Sequence, residues 1–313
     1  MIKNFLIVLM LVLGINYAHA EEEIPYLLTV ASKGDVATVS GLLESGTNPN
    51  THDADGITAL MYAARKDQFE VVKLLIEKGA DINARENGGW TALMFATKKN
   101  YIASAKVLLA KGADPKVRDI SGWSALGLAA SSGYSELVGL LIQSGVDANL
   151  RTDDGKTILM FAAKNGDVPT IKTLLENKAD PSMRDRYSMT PLMYAARAGN
   201  ADAVKVLIDN GAKVKDEDKA QWTALTWAVR KKQLPVAQIL IEKGSDVDHK
   251  DAQGTPLLHN AVSNGDIEMV RLLIAKGANV KAKDQYSLTP LVYALQAKKT
   301  EIIKMLKDAG GNY

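Results

Sequence analysis

Apolar positions along this chain return with a fixed step of 33 residues. Leucine stands at 27, 60, 93, 126, 159, 192, 225, 258 and 291, and again at 42, 75, 108, 141, 174, 207, 240, 273 and 306. Three residues after the first ladder comes Val30, then alanine at every later step from Ala63 to Ala294. Glycine follows the second ladder from Gly46 to Gly310, with Lys178 as the substitute. Such periodicity marks a repeat architecture.

Each period reads as turn, helix, short turn, helix, loop. In the second, Asp53-x-x-Gly56 is a β-turn sequence, and Thr58 is placed to cap the helix after it. Leu60, Ala63 and Ala64 share one helical face by their three-and-four spacing. A second helix near Glu70 to Lys78 presents Val72, Leu75 and Ile76, and Gly79 stops it where positive φ is easily reached. Between the helices lie Gly34, Gly133, Gly166, Gly199 and Gly265, with Asp67 and Asn100 as the next-best residues for that geometry. One such pair cannot enclose its own apolar surface. Stacked on a neighbour, each ladder leucine leaves water, at roughly 1.5–3 kcal/mol.

Thr190-Pro-Leu-Met-Tyr-Ala-Ala196, Val204-Lys-Val-Leu-Ile208, Thr289-Pro-Leu291 and Glu77-Lys-Gly-Ala-Asp-Ile-Asn83 resemble the ankyrin repeat, and the resemblance covers essentially all of 24–313. It implies an all-α solenoid of about nine stacked helix-turn-helix units with β-hairpin-like loops, near 21–52, 53–85, 86–118, 119–151, 152–184, 185–217, 218–250, 251–283 and 284–313. It further implies a concave surface lined by the loops and first helices. The histidine of the family pattern appears only as His259, with Met61, Met94, Met160 and Met193 among its replacements. Methionine packing is expected in its stead. Thr255-Pro256 arrives one residue early in the eighth unit, so that turn is expected to differ. The first and last units are expected to act as caps.

Residues 1–20 carry Lys3, an apolar run from Phe5 to Ile15, and Ala18-His19-Ala20. This is the pattern of a secretory signal with cleavage after Ala20. A periplasmic or secreted protein is expected, without stable membrane insertion after cleavage. Net charge is +2, which gives no general reason to expect nucleic acid. Cysteine is absent, so disulfides and thiolate chemistry are excluded.

Catalytic motifs do not assemble. Gly155-Lys156-Thr157 is similar to part of a phosphate loop but lacks the earlier glycine, which would fall at Leu150. Asp53-x-Asp55-Gly56 and Asp153-Asp154-Gly155 lack the remaining calcium ligands. His52, His249 and His259 lie in different units. No enzyme, metal or cofactor is expected.

Recognition is expected on the positions that the repeat leaves free. Trp90, Trp123 and Trp222 occupy the variable place before the turn threonine or its equivalent. They either contact a partner or fold onto the adjacent hairpin. Arg65, Lys98, Lys99, Arg197, Arg230 and Lys231 cluster near the ends of the first helices, where cations also complement the helix dipole. Aromatics at 62, 95, 161, 194, 227 and 293 read as packing between repeats. The expected function is an exported, monomeric scaffold whose concave face binds one partner protein of acidic character. Capture of a small amphipathic or anionic ligand is the alternative, and a hydrolase with an unrecognised site is the less favoured third.

Overall fold

The computed structural model describes residues 24–152 and 154–312. The leader expected at 1–20 lies outside the described residues. Among those residues the chain forms eighteen helices, taken in pairs, and no strand. Isolated antiparallel bridges, such as His52 with Thr58 and Arg151 with Thr157, close the loops that precede the first helix of a pair. No helix among the described residues is long and apolar enough to cross a membrane.

Among the described residues the contacts divide the chain into two compact units, one of residues 24–96 with 103–113, the other of 97–102 with 114–152 and 154–312. In the first unit, helix Tyr26–Lys33 packs on Val36–Glu44 and on Ala59–Ala64, which in turn packs on Phe69–Glu77. Leu27, Leu60 and Leu75 are buried there, while Leu42 is half-buried, no repeat packing on that side of it among the described residues. Within the second unit the first helices of successive pairs lie against one another, Ile158–Asn165 against Pro191–Ala198 and that against Ala224–Arg230. Leu192, Leu207, Leu225 and Leu240 are removed from water in this stack.

Caps set where the helices begin. The hydroxyls of Thr58, Ser124, Thr157, Thr190 and Thr223 each accept the backbone N–H three residues on. Methionine does replace the family histidine here. The sulfurs of Met160 and Met193 accept the N–H of Thr157 and Thr190, completing reciprocal caps. In the eighth repeat the hairpin keeps the common geometry, since Asp251 still accepts the N–H groups of Gln253 and Thr255. What changes is the cap: Pro256 stands at the N-cap and offers neither hydroxyl nor N–H.

The turn between helices needs glycine for two reasons at Gly199. Its φ is +85°, and a Cβ there would stand 2.3 Å from the Gln233 side chain of the following repeat. At Gly166 the corresponding approach is that of Asn200, which there donates to the carbonyls of Ala163 and Lys164, groups that a helix end leaves unpaired.

Candidate functional site

Most hairpin loops are folded around an acidic residue, Thr152 standing in its place in one of them. Asp185 accepts the N–H groups of Tyr187 and Met189 through one oxygen and the Tyr194 hydroxyl through the other, the latter at 2.7 Å. Nine residues also separate Asp53 from Tyr62, Asp218 from Trp227 and Asp284 from Tyr293, and each pair is hydrogen-bonded. Burial, together with the bond to Asp185, pushes the Tyr194 hydroxyl far above its usual range. The bond to Asp284, then burial, raises Tyr293 to about 12. Asp284 is held below its ordinary value. Burial acts in the raising direction, but the Tyr293 hydroxyl and the N–H groups of Leu288 and Tyr286 outweigh it. The aromatic ladder therefore braces the hairpins as well as packing between repeats.

The tryptophans are half-buried, each with one side of its indole against a ring. In the first unit Trp90 packs on Phe95, centroids 5.2 Å apart. In the second unit Trp123 packs on Phe161 at 5.8 Å and Trp222 on Trp227 at 4.8 Å. Gly127 makes room for Trp123, because a Cβ at 127 would meet the indole at 3.1 Å. Packing thus accounts for one face of each indole.

The cations divide by what they meet. Arg65 lies over the Tyr62 ring, 3.9 Å from its centroid. Arg197 lies over Trp227 at 4.8 Å and Arg230 over Trp222 at 4.0 Å. Lys98, Lys99 and Lys231 are exposed, and Lys98 and Arg230 stand in the last turn of their helices. The structure brings Trp222 and Arg230 into one cluster and adds Trp227 and Asn260 to it. A second set of cations is structural. Arg151 and Arg184 each donate to the backbone carbonyl thirty-three residues on, tying one hairpin to the next. Lys156, of the apparent phosphate loop, is bound to Asp154 at 2.5 Å while Thr157 caps a helix.

Charge is segregated within the second unit. Its first helices, Ala125–Ser131, Ile158–Asn165, Pro191–Ala198, Ala224–Arg230, Leu257–Asn264 and Pro290–Gln296, contain Lys164, Arg197 and Arg230 but no Asp or Glu. Its second helices, from Ser135–Gln143 to Thr300–Asp308, hold eight acidic residues. The first helices are therefore basic, while the hairpins beside them carry both signs, with aspartates such as Asp185, Asp218 and Asp284 held by backbone N–H groups and aromatic donors.

Sequence reasoning passed over the hairpin tips. Ile120, Tyr187 and Tyr286 project from them at 79%, 54% and 69% exposure. Their signal was legible, since Ile120 stands one residue and Tyr187 and Tyr286 two residues after the turn aspartate, where other repeats carry small, polar or charged residues such as Ala54, Asp55, Ser121 and Gln253. A cleft of about 640 Å³ in the first unit is lined by Ile24, His52, Asp53, Asp55 and Tyr62. Both oxygens of Asp53 are engaged there, by Asp55, Ile57 and Tyr62.

A family model described as ankyrin repeats in three copies matches residues 27–119, 111–185, 159–251 and 246–313. No curated protein matches the chain.

Proposed function

The chain belongs to the ankyrin-repeat family, whose repeats are generally protein–protein interaction modules, and from that premise we propose that it is an exported scaffold that binds an acidic partner protein. The partner lies along the first helices and hairpins, the face that the family uses as its concave surface. One observation carries this reading: the first helices of residues 114–313 are free of carboxylates while Lys164, Arg197 and Arg230 project from them. Such segregation costs self-repulsion and favours a partner of opposite sign through faster encounter and exclusion of wrong partners. Half-buried tryptophans beside the cations supply apolar area of the kind that dominates interfaces. Exposed Tyr187 and Ile120 extend the same face at the hairpin tips.

Charge reversal tests the surface. A variant with Lys98, Lys99, Arg197, Arg230 and Lys231 replaced by Glu should lose a partner captured by the wild-type protein and identified by mass spectrometry. That partner should be acidic, and its affinity should fall as salt rises. Capture undiminished by the five reversals would remove the basic face from consideration. Export rests on the pattern of Met1 to Ala20, and N-terminal sequencing of the protein from its native cells should begin at Glu21.

A further inference from the structure

Arg197 and Arg230 are equivalent positions one repeat apart, on first helices that pack directly against each other. Neither has a carboxylate within 4.0 Å among the described residues. Each guanidinium instead lies over an indole, Arg197 over Trp227 and Arg230 over Trp222. The indoles are themselves held. Trp227 donates its Nε1–H to Asp218 at 3.0 Å, and the two rings meet edge to face at 73°. Arg230 is fixed a second time, since its Nη1 donates to Asn260 Oδ1 at 2.8 Å. Asn260 occupies the place that Tyr194, Trp227 and Tyr293 fill in neighbouring repeats, and the short amide leaves space for the arginine to reach it. Around this guanidinium two N–H donors, Trp222 Nε1 and Asn260 Nδ2, are buried and have no acceptor.

A guanidinium lying on a ring keeps its in-plane N–H fork directed outward, in the geometry that grips a carboxylate bidentately. Because the stack already restricts the side chain, little rotamer freedom remains to be lost on binding. The helix axes that carry the two arginines lie roughly 8–10 Å apart, and both guanidinium groups rest on the Trp222–Trp227 pair. In an extended polyproline-type chain, residues i and i+3 point the same way and stand about 9 Å apart.

We propose that Arg197 and Arg230, with Trp227, Trp222 and Asn260 as their supports, form a two-point clamp for two glutamate or aspartate carboxylates spaced i, i+3 on an extended segment of the partner. This rests on the binding reading above and assigns it a subsite and a sequence requirement. Asn260 acts as a positioning residue through Arg230.

Fluorescence-labelled peptides containing Glu-Pro-Pro-Glu, the isomer Glu-Glu-Pro-Pro, and Gln-Pro-Pro-Gln test it by anisotropy against the whole protein. The first should bind at least tenfold more tightly than either other peptide and should change the tryptophan emission. Replacing both arginines by lysine (Arg197→Lys with Arg230→Lys) keeps the charge but removes the planar fork. It should lower that affinity tenfold or more while the thermal melt is unchanged. Equal binding of the two glutamate isomers, full binding by the lysine variant, or binding of no peptide would each overturn the clamp. A partner protein retained by the lysine variant yet lost on reversal of Lys98, Lys99 and Lys231 would leave the binding face standing and reject the clamp alone.

Discussion

Tyr194 donates its hydroxyl to Asp185 at 2.7 Å, across nine residues of chain that fold from hairpin to helix. Tyr194 is 8% exposed and Asp185 7%, so water does not replace the donor if it is lost. Tyr194→Phe should therefore destabilise the protein by about 1–3 kcal/mol. Denaturant melts give the value, and an unchanged midpoint would mean that the hairpin is held by its backbone bonds alone.

Alkaline pH should act through the same bonds. The folded-state values of Tyr194 and Tyr293 lie above 10.0, the ordinary tyrosine value, with Tyr293 at about 12. An unfolded chain releases these protons first. Their contribution is complete below pH 10 and is lost as pH climbs through the folded values. Stability measured by denaturant should hold level toward pH 10 and decline from there to about 12. Tyr293→Phe should flatten part of that decline.

His259 should give a slope on the acid side. It is buried at 1% exposure, with Nε2 2.9 Å from the Leu288 carbonyl and Nδ1 without a partner. Burial lowers its value from 6.5, with Lys250 acting in the same direction and the Leu288 carbonyl and Asp284 against it. Tyr293 faces it edge to face at 5.3 Å. Since the folded value is depressed, stability is full above 6.5 and falls as pH drops below it. His259→Met, the residue of the equivalent place in other repeats, should abolish that loss. Identical pH profiles for both proteins would show that other groups govern acid sensitivity.

Trp123 should respond to a change at Gly127. Methionine at 127, as in four other repeats, would drive into an indole that stands 3.1 Å from where its Cβ would lie. In Gly127→Met the indole should swing outward and its emission shift to longer wavelength. The remaining tryptophans, held by Phe95, Trp227 and Trp222, supply a constant background. An unshifted spectrum would indicate that the neighbouring Phe161 moves instead.

Much of this molecule is legible from local rules. The second helix read near Glu70 to Lys78 is Phe69–Glu77, and Thr58 caps the first as its position implies. Gly79 has φ +91°, and Asp67 and Asn100 adopt φ of +57° and +58° in the inter-helix turn. These features depend on hydrogen bonds that close within a few residues, so each repeat states them again. The Asp185–Tyr194 tie lay in the sequence as a spacing of nine. It escaped notice because neither helical nor strand periodicity predicts it.

The fate of individual charged side chains is a different matter. Arg184 and Arg197 belong to the same stretch of chain, yet one binds the Glu217 carbonyl and the other lies over Trp227. Both partners come from the following repeat, about thirty residues on. Sequence alone therefore determined the repeat, its helices, their caps and the leucine layers, because short-range geometry and the need to hide apolar surface suffice for these. Only tertiary structure decided which cations are used up in the scaffold and which stay available on a ring. That choice depends on distances of a few ångströms between groups that meet solely when neighbouring repeats have packed.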